Sequence, residues 1–114
     1  MGARGKLRTA EGGLLLFWCP GCDGAHNVRP RDGSGRGWSF NGSYDRPTFS
    51  PSVLVRGVQP ITDAEHAALV RGERVEPRPF VCHSFVTDGQ IQFLGDCTHA
   101  LAGQTVPLPD FDAA

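Results

Sequence analysis

The 114-residue sequence has no long hydrophobic run. Its most extended apolar stretch, Leu14 to Trp18, stops after five residues at Cys19, which is too short for a signal-peptide core or a membrane span. It also lacks charge of one sign: the formal net charge is −1, and no basic run is interleaved with aromatics, which argues against a polyanionic partner such as nucleic acid. No His-Glu-x-x-His and no His-x-Glu pattern is present, so the common metallohydrolase and deaminase signatures are missing. No internal repeat or low-complexity block interrupts the chain. These absences lead us to expect a cytoplasmic protein that binds neither membrane nor nucleic acid.

Glycine and proline are plentiful, at 15 and 9 residues, and few stretches have helical periodicity. Short strands joined by tight turns are therefore expected. The predicted fold class is mainly β (small α+β): short antiparallel strands and hairpins around one zinc knuckle, the reading of Cys19-Pro20-Gly21-Cys22 with the distant Cys82 and Cys97, with one short helix. Residues 1–12 read as a loose arm, 13–108 as one zinc-stabilised β domain and 109–114 as a tail that packs only partly, through Phe111. Strands are predicted at 13–18, 26–28, 38–40, 80–87 and 90–97, and residues 29–37 as a mobile surface loop. Residues 46–55 read as an extended segment that Pro47 and Pro51 keep out of the middle of a regular sheet. Thr62 and Glu65 form a capping box opening a helix that ends at Gly72.

The strongest signal is four cysteines, Cys19-Pro20-Gly21-Cys22 and the distant Cys82 and Cys97. A Cys-x-x-Cys knuckle turns two thiolates toward one cation, and in a cytoplasmic chain such a set points to metal rather than disulfides. Asp88-Gly89 fits a two-residue hairpin turn, which sets Thr87 opposite Gln90, Val86 opposite Ile91 and Ser84 opposite Phe93. Alternation then places Cys82 and Cys97 on one face, able to meet the knuckle and close a four-thiolate structural Zn2+ site. His26 (Cys-x-x-x-His) and His99 (Cys-x-His) are alternative fourth ligands.

The same register puts His83 and Asp96 on the opposite face. A carboxylate there can hold the imidazole while Ser52 or Ser50 approaches from the proline-braced segment. Ser52 is the preferred nucleophile, because Pro51 fixes the backbone before it and Val53 to Val55 begin a strand after it. Two bland readings stand beside this triad: the Thr48 to Ser52 hydroxyls satisfy backbone groups, and His83 and Asp96 cap neighbouring turns. A non-catalytic zinc module docking a protein through Trp38, Phe40, Tyr44 and Phe49 is the competing function, and a catalytic zinc with three of the Cys/His ligands ranks last.

Read in order, Phe17-Trp18-Cys19-Pro20-Gly21-Cys22, Trp38-Ser39-Phe40-Asn41-Gly42, Arg46-Pro47-Thr48-Phe49-Ser50-Pro51-Ser52, Cys82-His83-Ser84-Phe85 and residues 96–104 resemble a small zinc-binding family of tailed phages and prophages. Its members are mostly of unknown function, and some carry the label ammonia monooxygenase. The copper or di-iron ligands that such an activity needs are missing from this chain. More distantly, the sequence is similar to zinc-containing proteins encoded beside bacterial ubiquitin-like conjugation enzymes, although it has His83 directly after Cys82 where those have a spacer and a serine before the histidine. That resemblance implies a phage or prophage accessory protein acting as a peptidase on a ubiquitin-like modifier or related protein substrate.

Overall fold

The computed structural model describes residues 3–31 and 35–113. Two antiparallel sheets pack face to face. The first has the order β1 (Ala3–Arg4), β2 (Leu7–Thr9), β3 (Leu15–Cys19), β4 (Gly24–Val28); the second has β5 (Ser39–Phe40), β6 (Phe49–Val58), β7 (Pro79–Thr87), β8 (Gln90–Phe93), β9 (Thr105–Pro107). The mainly-β expectation holds, and so does the short helix. α1 (Asp63–Val70) opens on a reciprocal Thr62/Glu65 capping box.

Strand alternation builds the core. In β3 the buried positions are Leu15, Phe17 and Cys19; in β7 they are Cys82, Ser84 and Val86; in β8 they are Ile91 and Phe93. The inner faces meet through Phe17 and Phe49, whose rings stack 6.3 Å apart, and Phe40 stacks on Phe49 at 5.2 Å. The hairpin register is the predicted one, Thr87↔Gln90, Val86↔Ile91 and Ser84↔Phe93. Asp88 (φ 51°) and Gly89 (φ 77°) supply the left-handed pair that a type I′ turn requires.

Four local expectations are corrected. The presumed loose arm is a strand pair: β2 pairs with β3, and Leu7 is completely buried against Phe17's strand. An isolated Leu between Lys6 and Arg8 gave no periodic signal, so only the partner strand reveals it. Met1 and Gly2 of that arm, and Ala114 of the tail, lie outside the described residues. Residues 49–58 form one ten-residue strand despite Pro51. Phe49 faces Val86, whereas the ladder running from Val53↔Ser84 would carry it to residue 88, so a two-residue bulge separates them. Pro51 sits inside that bulge, where no ladder bond asks for its missing N–H.

The last predicted strand stops at Phe93 instead of running to 97, because the chain turns at 95–96 and rejoins Val81 at Thr98. β9 then completes the sheet, pairing Val106 with Ile91. Of the expected mobile loop 29–37, residues 32–34 lie outside the described residues. Its base is pinned, with Arg31 N–H donating to Trp38 C=O at 2.7 Å and Trp38 N–H to Arg29 C=O at 2.9 Å. The tail packs through Phe111, edge-on to Trp18 at 6.2 Å. Among the described residues no helix is long and apolar enough to cross a membrane.

Candidate functional site

The β6 bulge and the β7 strand together make a polar constellation on the outer face of the five-stranded sheet. His83 alternates with buried Cys82 and Ser84, so its ring points outward. Ser52, lifted by the bulge just before Val53, brings its Oγ to 2.9 Å from His83 Nε2. Asp96, in the turn after β8, brings Oδ2 to 3.2 Å from His83 Nδ1. An ionised carboxylate only accepts, so in the neutral ring Nδ1 carries the proton, donating it to Asp96, and Nε2 is left to accept from the Ser52 hydroxyl. This is the connectivity of an acyl-transfer triad: nucleophile to base, base to orienting acid. Its members come from three separate segments, 31 and 13 residues apart.

Further contacts hold the parts still. Trp38 Nε1–H donates to the Ser52 carbonyl at 3.2 Å, which fixes the backbone carrying the hydroxyl. Ser84, although next to His83, is fully buried on the inner face and has no route to the imidazole. Thr48, also between the prolines, accepts from Asp88 N–H at 2.8 Å, a backbone role. The aromatics considered as interface anchors belong to the core: Phe49 is 2% exposed, and Trp38, Phe40 and Tyr44 pack partly buried against it.

On the inner side, Cys19, Cys22, Cys82 and His99 bring their ligand atoms within 4.8 Å of one another. Cys19 Sγ lies 3.8 Å from Cys82 Sγ, and Cys82 Sγ lies 3.5 Å from His99 Nε2. Tetrahedral zinc with bonds of about 2.3 Å needs sulfur–sulfur edges of roughly 3.8 Å, so the donor set fits. Without a cation the three thiols work against each other. The hydrogen bond with Cys82 draws Cys19 down to about 4, that same bond with burial pushes Cys82 up, and burial pushes Cys22 up to about 12. A cation removes this conflict by letting all three deprotonate. Gly21 completes the fit: a Cβ there would fall 2.3 Å from the His99 ring, which also packs edge-on against Phe93 at 4.4 Å.

Cys97, expected as the fourth ligand, stands outside this group. An unbroken ladder from Ser84↔Phe93 would set residue 98 opposite residue 79, but the turn after β8 takes up two residues and Thr98 N–H reaches Val81 C=O instead. The slip swings Cys97 under His83 and offers His99 to Cys82, so the histidine left open as an alternative fills the fourth corner. His26 packs its ring edge-on to Phe17 instead. The Cys97 thiol accepts from His83 N–H and donates to His83 C=O, both at 3.2 Å. Sequence reasoning missed this use because it depends on a turn that alternation does not foresee.

Cys97 is thus a clip on the backbone of His83. Cys97→Ala is expected to keep a full complement of metal while losing about 1 kcal/mol of stability, from the His83 N–H left without an acceptor while the His83 carbonyl still accepts from Leu94 N–H at 2.9 Å; Cys97→Ser, whose hydroxyl also donates and accepts, is expected to recover part of that. Elemental analysis beside chemical denaturation checks both, and metal loss in Cys97→Ala would restore the four-cysteine site.

The constellation on the outer face defines a small β-sandwich of serine-hydrolase geometry beside a Cys3His cluster. The sequence model of the bacterial ubiquitination-like system serine protease family, BubE, matches residues 3–94, and the chain belongs to that family. The match takes in Ser52, His83 and three of the clustered metal-type ligands, Cys19, Cys22 and Cys82. Asp96, Cys97 and His99 lie just past its end. No curated protein and no solved structure matches the chain.

Proposed function

We propose that the protein is a serine peptidase that cleaves a ubiquitin-like modifier, or a protein joined to one, with Ser52 as nucleophile, His83 as general base and Asp96 as orienter. The observation that carries this reading is the Ser52 Oγ to His83 Nε2 separation of 2.9 Å with Asp96 on the far nitrogen. The family to which the chain belongs supplies the substrate class. Its resemblance to phage and prophage proteins would set the activity in an infected or lysogenic bacterial cytoplasm.

The chemistry follows from the proton positions. As Ser52 Oγ attacks the scissile carbonyl carbon, its proton passes to His83 Nε2, and the imidazolium is stabilised by the Asp96 carboxylate. Collapse of the tetrahedral intermediate breaks the C–N bond, and His83 returns that proton to the departing amine. Water, deprotonated by the same nitrogen, then hydrolyses the Ser52 ester, releasing the carboxylate and restoring the hydroxyl.

Cys19, Cys22, Cys82 and His99 would hold zinc as a closed four-ligand structural site. Cys82 directly precedes His83, and His99 follows Asp96 by three residues, so the metal would brace both the strand that presents His83 and the turn that presents Asp96. The zinc would supply rigidity, with no open position for water.

The test is cleavage of a ubiquitin-like C-terminal fusion by wild type and Ser52→Ala, with folding checked by circular dichroism. Wild type is expected to release the fused peptide and Ser52→Ala to lose activity by about 10⁴-fold or more. Full cleavage by Ser52→Ala would remove the assignment.

A further inference from the structure

The outer face of the β5–β9 sheet is unusual beyond the triad, because large apolar side chains stand on it uncovered. Leu54 is the cross-strand partner of His83, and Phe85 follows His83 by one pleat repeat on the same face. They are 41% and 40% exposed, respectively. Pairing and alternation put them on either side of the imidazole, one across the ladder and one along it. Isolated exposed apolar residues are ordinary; two of them flanking a nucleophile–base pair are not explained by packing, since neither belongs to the core.

From Phe85 a groove of about 300 Å³ continues away from the triad along the same face, lined by Phe85, Thr87, Asp88, Gln90, Gln92 and Thr105. Apart from Phe85 its lining is hydroxyl, amide and one carboxylate. Amides and hydroxyls both donate and accept, which suits the alternating C=O and N–H groups of an extended chain. Asp88 is the one charged lining residue, so the groove disfavours an acidic segment and leaves apolar and neutral polar ones.

We propose that this face is the substrate track of the peptidase, binding an extended peptide that carries a bulky apolar residue within two positions of the scissile bond, with Leu54 and Phe85 as the specificity-determining contacts. A strand advances about 3.3 Å per residue, so the one-repeat spacing from His83 to Phe85 matches two substrate residues. The polar groove beyond Phe85 would hold the following neutral residues of the chain. The proposal rests on the serine-peptidase reading for its cleavage assay, but not for its binding assay.

The experiment has two arms. In the first, a decapeptide library randomised at every position is cleaved by wild type, and products are sequenced by mass spectrometry. Leu, Met or Phe is expected to be enriched within two residues of the cut. Phe85→Ala and Leu54→Ala are expected to raise KM for a matching peptide about tenfold, the usual size of a lost apolar pocket contact, with kcat unchanged. p-Nitrophenyl acetate, which reports on Ser52 and His83 without an extended chain, is expected to be turned over by the wild type.

In the second arm, a Leu-containing decapeptide and its Leu→Asp counterpart are titrated into Ser52→Ala protein by NMR. Shifts at Phe85, Leu54 and Gln92 with the first peptide only are expected. Cleavage with no apolar enrichment, unchanged KM in both variants, or equal binding of the two decapeptides would overturn the track. Loss of ester and peptide turnover in wild type with the NMR shifts intact would instead reject the peptidase reading and leave the binding face standing.

Discussion

Cys82→Ser is expected to leave the protein without metal and largely unfolded. Cys82 sits at the centre of the cluster, its Sγ 3.8 Å from Cys19 and 3.5 Å from His99 Nε2, and it joins β7 of one sheet to β3 of the other. A structural zinc site contributes on the order of 10 kcal/mol, comparable to the whole stability of a small domain. The sandwich that remains has only a modest core to replace it. Elemental analysis and thermal unfolding check the expectation: purified Cys82→Ser should hold no zinc and show no cooperative transition. Chelation of the wild type should reproduce the loss, and a metal-free wild type that melts cooperatively at the same temperature would contradict it.

The second large effect concerns His83. His83→Ala is expected to lower peptide cleavage by about 10⁶-fold, the usual effect of removing the base of such a triad. Metal content should not change, because the ring points away from the cluster. Asp96→Asn is expected to be milder, about a hundredfold. Its side chain is 56% exposed against 25% for His83, so water screens the ion pair that a buried acid would stabilise fully. Steady-state kinetics of both variants, with metal analysed in parallel, give the ordering. Asp96→Asn falling as far as His83→Ala would show that the acid does more than orient the ring.

Much of this site is legible in the sequence because it depends on one hairpin. Asp88-Gly89 fixes the turn, the turn fixes the register, and the register separates Cys82 and Ser84 from His83 by simple alternation. Ser52 is legible through Pro51, although the mechanism differs from the expected one. Pro51 does not keep residues 49–55 from the middle of the sheet, although 46–48 stay outside it; the proline occupies a bulge within a long strand, and that bulge brings the Ser52 hydroxyl to the imidazole.

What the sequence hides is long-range or cumulative. Leu7 looks like part of a loose arm until β3 pairs with its strand. The exchange of Cys97 for His99 follows from a two-residue slip after Phe93, which no local residue pattern announces. Gly21 reads as a knuckle glycine chosen for its turn, whereas its tightest constraint is the His99 ring brought in from 78 positions away.

The most direct measurement of the central claim is covalent labelling of the wild-type protein with a fluorophosphonate, followed by peptide mapping. Such probes phosphonylate a serine only where a neighbouring base activates its hydroxyl. A single adduct on Ser52 is expected, lost in His83→Ala protein whose metal content matches that of the wild type. An adduct on another serine, or no adduct on folded, metal-replete wild type, would contradict it.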